Sequence, residues 1–336
     1  MKRFVATSFA TLLAVFTVAP SAFSQVRELR TIPVVAMTQD GRVVQGLTAR
    51  NLRVKGVKAT IESVTFDAGP RRVILLLDIS GSMGDPGDYH DRKKWDYAKD
   101  MAKAFLRNSS AQDLCALDVF AEKEKEIVPL THDFASVLAA IDALPTPGSK
   151  RTKATYGGMT YAGDALNAVL RNAGQQLELG DSVIFFSDEE FEQLGIDTGK
   201  RSLDSLRAQI ARRGVRVFLA RPVVWGLPVE PDFHELSGIN ASVTFMRATG
   251  GFSFGPIEAR ELKWETQAYL SNPLQKRMAA LNNAVQGTYR MELQLDQPLR
   301  KKRNLQLELV EANGKTVKSV SLFYPRTLYP NSSKAN

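Results

Sequence analysis

The sequence predicts an α/β fold: a doubly wound, mostly parallel sheet, with a small satellite β domain formed by the N- and C-terminal segments. Three observations carry this expectation. Two apolar runs of strand length, Val73–Leu77 and Val183–Phe186, show no alternation, the pattern of strands covered on both faces. From Arg71 onward strand and helix patterns take turns, which implies a parallel sheet with helices on either side. The segments on either side of this part carry short strands, too few in each to be stable alone.

The chain has 336 residues, 44% of them hydrophobic, enough for one large domain with an appendage or for two domains. Residues 1–24 read as a secretory signal peptide, with Lys2 and Arg3 as the charged start, Phe4–Val18 as the apolar core and Ala22-Phe23-Ser24 as the cleavage site. The mature chain is then expected to begin at Gln25 and to be exported, periplasmic or secreted. No later run reaches the length of a membrane span. The single cysteine, Cys115, allows no internal disulfide, falls in an apparent strand and is expected to be a buried free thiol. The formal net charge of +8 drops to +6 once Lys2 and Arg3 are removed. Part of the excess lies in Lys150-Arg151-Lys153 and Arg300–Arg303, with few interleaved aromatics, so nucleic acid is not an expected partner.

Residues 25–69 form a β-rich leader with strands expected at Thr31–Met37, Asn51–Gly56 and Ala59–Phe66 and a hairpin turn at Asp40-Gly41. The central part, 70–262, begins with the strand ending at Asp78. Its helix over about Lys93–Arg107 places Trp95, Ala98, Met101, Ala102 and Phe105 on one stripe. Strands follow near Leu114–Phe120 and Glu126–Leu130, then a helix capped by Asp133 and stopped at Pro145. Thr146–Gly158 reads as a long loop, Asp164–Ala173 as a helix, Ser202–Arg213 as a helix ended by Gly214, and Val215–Ala220 as a strand. Pro222–Gly255 is irregular, and Ala248–Phe252 runs from a helix end into a last strand. In the C-terminal part, 263–336, a helix is expected to break at Pro273 and resume to about Val285. Strands are expected at Thr288–Leu295, Leu305–Glu311 and Thr316–Phe323, the last two paired across Asn313-Gly314, with a loose tail after Pro325. Packed with the leader, these strands form the expected satellite domain.

Chemistry concentrates in Arg71–Gly84, where the buried strand breaks into Asp78-Ile79-Ser80-Gly81-Ser82. Ligands in open α/β sheets collect past the carboxyl ends of strands. One carboxylate and two hydroxyls are hard oxygen donors suited to Mg²⁺, Mn²⁺ or Ca²⁺, with no thiolate or imidazole nearby to favour zinc or copper. The same residues would also serve as an ordinary small-residue turn.

Downstream, Gly157-Gly158-Met159-Thr160 precedes a helical pattern, and the run Val183–Phe186 ends in Ser187-Asp188-Glu189. Together with Asp78-x-Ser80-x-Ser82 these resemble the von Willebrand factor A (VWA) domain, a Rossmann-like fold. The metal-ion-dependent adhesion site of that family uses Asp-x-Ser-x-Ser, a Thr from a later Gly-rich loop and an Asp at a Thr-Asp-Gly-like strand end. The resemblance implies a Mg²⁺ site, with Mn²⁺ or Ca²⁺ as alternatives, made of Asp78, Ser80, Ser82, Thr160 and Asp188. Ser187-Asp188-Glu189 departs from Thr-Asp-Gly but keeps the carboxylate. Two carboxylates and three neutral hydroxyls would no more than neutralise a divalent ion, and water separating either carboxylate from the metal would leave it electrophilic. In the family one coordination position stays open for an acidic side chain of a partner. The leader, with Asp40-Gly41-Arg42 and Gly46-Leu47-Thr48-Ala49, also resembles exported proteins of the acidobacterial-type VWFA-related group.

The expected function is therefore a binding module for a protein partner presenting Asp or Glu. Three segments, Asp85–Arg92, Ser149–Tyr156 and Glu189–Phe191, are expected to project at the edge of the sheet that bears the site. A purely structural ion is the first alternative and a metal-dependent hydrolase the second. Enzymatic activity is not expected, because Glu189 and Glu190 have no partner residue, His90, His132 and His234 show no HExxH-like spacing, and Ser80 and Ser82 lie outside a Gly-x-Ser-x-Gly elbow.

Overall fold

A computed structural model of the chain describes residues 27–87, 92–157, 159–188, 200–222, 224–225, 244–254, 257–258 and 268–331. The expected signal peptide, His90, His234 and Glu189–Phe191 lie outside the described residues. Three strands come first, β1 (Glu28–Thr38), β2 (Leu52–Lys55) and β3 (Ala59–Phe66). The central sheet then uses β4 (Arg72–Asp78), β5 (Leu114–Phe120), β6 (Glu124–Thr131), β7 (Ser182–Phe186) and β8 (Arg216–Ala220). Beyond them β9 (Val224–Trp225) pairs in parallel with β11 (Ile257–Glu258), while β10 (Ser253–Phe254) extends the central sheet. The order across the sheet is β10-β8-β7-β4-β5-β6, parallel throughout except for the β5–β6 hairpin at one edge.

The apolar run of β4 explains its central place. Successive side chains of a strand point to opposite faces, and Val73, Leu75 and Leu77 join one core while Ile74 and Leu76 join another. All five are buried, and each such burial is worth about 1.5–3 kcal/mol. The first core is roofed by α1 (Lys94–Asn108) and α2 (Phe134–Ala143). The expected stripe Trp95, Ala98, Met101, Ala102 and Phe105 faces it, and Asp133 caps α2 by accepting from the Ser136 amide. The expected long loop contains a helix, α3 (Lys150–Tyr156), because Ser149 caps it and Thr152 and Tyr156 are buried. The opposite core is covered by α4 (Ala162–Arg171), α5 (Lys200–Arg213) and α6 (residues 244–249), through Leu166, Val169, Leu206, Ile210, Phe245 and Met246. Gly251 lets α6 run straight into β10, since a Cβ there would lie 1.9 Å from the Val217 carbonyl oxygen. Cys115 is a buried free cysteine, as expected.

The helix α7 (Ala268–Gln286) continues through Pro273, where a break was expected. Proline in the second turn forfeits one backbone hydrogen bond, and burial of Leu274, Met278, Leu281 and Val285 against the α1 layer outweighs it. Arg216 of β8 ties the end of this helix to the sheet. Its fully buried guanidinium donates to the carbonyls of Ala284 (2.7 Å), Val285 (2.8 Å) and Gly180 (2.7 Å). Burial, and then the nearby Arg71, lower its pKa to about 9.

The satellite is built from both ends of the chain, as expected. It continues with β12 (Tyr289–Leu295), β13 (Arg303–Asn304), β14 (Gln306–Leu309), β15 (Val320–Phe323) and β16 (Thr327–Leu328). The antiparallel sheet runs β15-β1-β12-β3, and β2 pairs with β14. Two expectations are corrected. The Asn313-Gly314 turn forms, but beyond one bridge, Val310 to Thr316, the following strand leaves β14 to pair with β1. The tail is anchored: β16 pairs with β13, and the Tyr329 and Pro330 carbonyls accept from Arg30 and Arg212. The expected short turn at Asp40-Gly41 is present, with Gly41 at φ +81°.

Asp118, on the α4-facing side of β5, is 1% exposed, and its Oδ1 has no hydrogen-bond partner among the described residues. Burial first, then the Glu124 and Glu126 carboxylates of β6, push its pKa up to about 8. A carboxyl raised above its unfolded value of about 4 contributes its stability in full below that value and loses it as pH rises through the folded pKa. Asp118→Asn, with no charge to bury, should therefore exceed the wild type in stability at pH 8 by on the order of a few kcal/mol, the gap closing toward pH 4. Urea melts at the two pH values measure this, and an equal gap at both would contradict it.

Candidate metal centre

The candidate site begins where β4 stops being apolar. The Asp78 side chain is fully buried at the carboxyl end of the central strand, and two neighbours compensate its charge. The Ser80 amide donates to Oδ1 at 2.8 Å and the Ser187 hydroxyl to Oδ2 at 2.6 Å. The chain then turns through a short 3₁₀ helix, Gly81–Gly84, pinned from below by the buried Met83. This turn brings the Ser80 and Ser82 hydroxyls within 3.2 Å of each other, and Ser82 donates to Asp188 Oδ1 at 3.2 Å. Asp188 lies just past β7, the strand beside β4, so both carboxylates reach the same end of the sheet. Burial first, then the Asp188 charge, push Asp78 up to about 7.

Thr160 comes from the other side. It is 2% exposed, and its Oγ1 has no hydrogen-bond partner among the described residues, so no hydrogen bond joins it to the other four. Its backbone is fixed to the β5–β6 turn, which adjoins the end of β4. The Tyr161 amide donates to the Ala121 carbonyl at 3.0 Å, the Met159 amide to Glu122 Oε1 at 3.1 Å, and the Glu122 and Lys123 amides to the Tyr156 carbonyl. Gly157 starts this loop at φ +88°, where a Cβ would lie 2.4 Å from Glu122 Cδ.

These residues fit a hard divalent ion. The donors are two carboxylates and three hydroxyls, and a buried hydroxyl without a partner costs about 1–3 kcal/mol, which an incoming cation would recover. Among the described residues no group of three or more His, Cys, Asp or Glu could hold a metal, so a site here depends on hydroxyl ligands.

Sequence reasoning missed three contributors. Lys94 Nζ lies 2.5 Å from Asp188 Oδ2, the Ser187 hydroxyl holds Asp78, and Glu122 holds the Thr160 loop. Lys94 arrives through pairing of the two ends of the insert, with Gly87 N bonded to Arg92 O and Lys94 N to Asp85 O. No spacing rule signals that closure. Residues 88–91 of the insert lie outside the described residues. His132 is remote: its Nδ1 lies 2.9 Å from the carbonyl oxygen of Asp113, just before β5, at the amino end of the sheet.

Sheet order, helices on both faces and an oxygen-lined end of the central strand together define an α/β domain with a candidate cation site. Residues 73–190 match the family model of the von Willebrand factor type A domain, a span that includes all five candidate ligands, and the central sheet has that α/β fold. Among solved structures the chain is similar to a von Willebrand factor type A protein from Catenulispora acidiphila, at 15% identity and TM-score 0.44, over 90% of this chain and 72% of that one. It is similar also to an aerotolerance-related membrane protein from Bacteroides fragilis, at 16% identity and TM-score 0.42, over 63% and 98% of the two chains. A third is proximal thread matrix protein 1 of the mussel byssus with a zinc-occupied MIDAS motif, at 14% identity and TM-score 0.40, over 73% and 50%. A search of curated proteins found no match.

Gly157→Ala should destabilise the protein by about 1–3 kcal/mol, since it forces an L-residue into an extended, positive-φ conformation that glycine alone adopts readily, and against Glu122. Urea denaturation measures the loss, and a wild-type midpoint would refute the anchoring role of this turn.

Proposed function

We propose that this protein is an exported binding module, periplasmic or secreted, in which Asp78, Ser80, Ser82, Thr160 and Asp188 hold a divalent cation. Mg²⁺ is the proposed ion, with Mn²⁺ and Ca²⁺ as the other hard cations an oxygen set admits. The open coordination position takes an Asp or Glu side chain of a protein partner. The observation that carries this reading is the hydrogen-bonded chain of two carboxylates and two serines at one end of the sheet, together with a buried, unpartnered Thr160 hydroxyl on a loop tied to the β5–β6 turn that adjoins the same strand end. The von Willebrand factor type A match over 73–190 supports it. Membership of the acidobacterial-type VWFA-related group, suggested by the leader, belongs to the same proposal.

The protein is not an enzyme in this reading. The five residues serve as ligands, and His132 is engaged with the Asp113 carbonyl at the far end of the sheet. A structural ion is the competing reading, favoured by the burial of Asp78 and Thr160.

In calorimetric melts Mg²⁺ should stabilise the wild type by about 2.7 kcal/mol at a hundred times its dissociation constant, and Asp78→Ala should abolish the effect. Capture of one polypeptide from a cell-envelope extract should require Mg²⁺, fail in chelator and fail with Asp78→Ala. Stabilisation by Mg²⁺ with capture unchanged by chelator would make the ion structural. No stabilisation at any concentration would sink the metal reading.

A further inference from the structure

We infer that Lys94 is a tethered cation that stands in for the metal at Asp188 and weakens the hold of the site on divalent ions. The inference rests on the metal-binding reading above and concerns how tightly the site binds.

Three observations carry it. The Lys94 ammonium sits 2.5 Å from Asp188 Oδ2, while Oδ1 of the same carboxylate accepts from Ser82, another candidate ligand. Ammonium and cation would thus draw on one carboxylate. The pair is well shielded, with the two side chains 20% and 6% exposed, so solvent screens it less than a surface ion pair. Lys94 is also held in place. It opens α1, its amide donates to the Asp85 carbonyl at 3.0 Å, Lys93 bridges to Pro86, and the next residue, Trp95, is anchored in the core.

Charge balance gives the consequence. Without a metal, two buried carboxyl groups, Asp78 and Asp188, share this end of the sheet, and Lys94 offsets the charge of Asp188. A divalent ion entering beside Lys94 would leave the cluster positively charged, so binding requires the ammonium to leave Asp188 or to stay and repel the ion. Either route lowers affinity. The site is thereby stable when empty and fills only at higher cation concentration.

The test is titration calorimetry of the purified, chelator-stripped protein with Mg²⁺ and Mn²⁺, comparing wild type with Lys94→Met and Lys94→Gln and using Asp78→Ala as the non-binding control. Circular dichroism confirms that each variant is folded. Both Lys94 variants should bind about tenfold more tightly or better. Their melting temperatures should fall below wild type in chelator and return toward it in saturating Mg²⁺. A dissociation constant in either folded variant that is unchanged or larger, while the wild type binds, would overturn the role of Lys94 and leave the metal reading intact. If neither wild type nor variants bind, the metal reading fails and this inference with it.

Discussion

A carboxylate at the buried end of a central strand must be compensated from within, and the architecture around Asp78 follows from that constraint. Unpaired, such a charge is expelled or neutralised. Here Ser80 turns its amide back onto Oδ1 and Ser187, on the neighbouring strand's exit, covers Oδ2. Two hydrogen bonds do not offset burial beside a second carboxylate, and Asp78 stays raised to about 7. The ionised form of Asp78 is thus left under-compensated in a shielded place, and a cation is what would stabilise it.

The surroundings hold that carboxyl in place. Both faces of β4 are sealed, and the loops that meet at its end are each tied down separately: Gly81–Gly84 by Met83, the Thr160 loop by Ala121 and Glu122, the start of α1 by Asp85. The satellite adds to this from the opposite direction. Val35 and Met37 of β1 join the central core while Val34 and Ala36 join that of the satellite, so one strand serves both. Arg216 then binds the last carbonyls of α7, the helix leading into β12. A buried guanidinium with three carbonyl partners is a demanding contact, and it fixes where the C-terminal strands can return to meet the leader.

Adhesive and structural readings of the site differ in what the ion does after binding, and both need it to bind. Lys94 bears on that common step, since a cation supplied by the chain itself competes with any supplied by solution.

Much of this was legible in sequence because it depends on local pattern. Unalternating apolar runs mark β4 and β7, a 3.6-residue stripe marks α1, and Asp-Gly and Asn-Gly mark turns that form. The spacing Asp78-x-Ser80-x-Ser82 presents two hydroxyls from one turn whatever lies around it. What the sequence could not determine are pairings between distant segments. Whether Val320–Phe323 pairs with β14 or β1, whether a proline breaks α7 or is carried through by burial of the residues after it, and whether the tail is free or pinned depend on which surfaces are left uncovered once the rest has packed. The same holds at the site. Residue types and chain order named the candidate oxygens, but the ammonium at Asp188 and the carboxylate holding the Thr160 loop come from Lys94 and Glu122, brought there by strand order and loop closure, long-range geometry that no local spacing encodes.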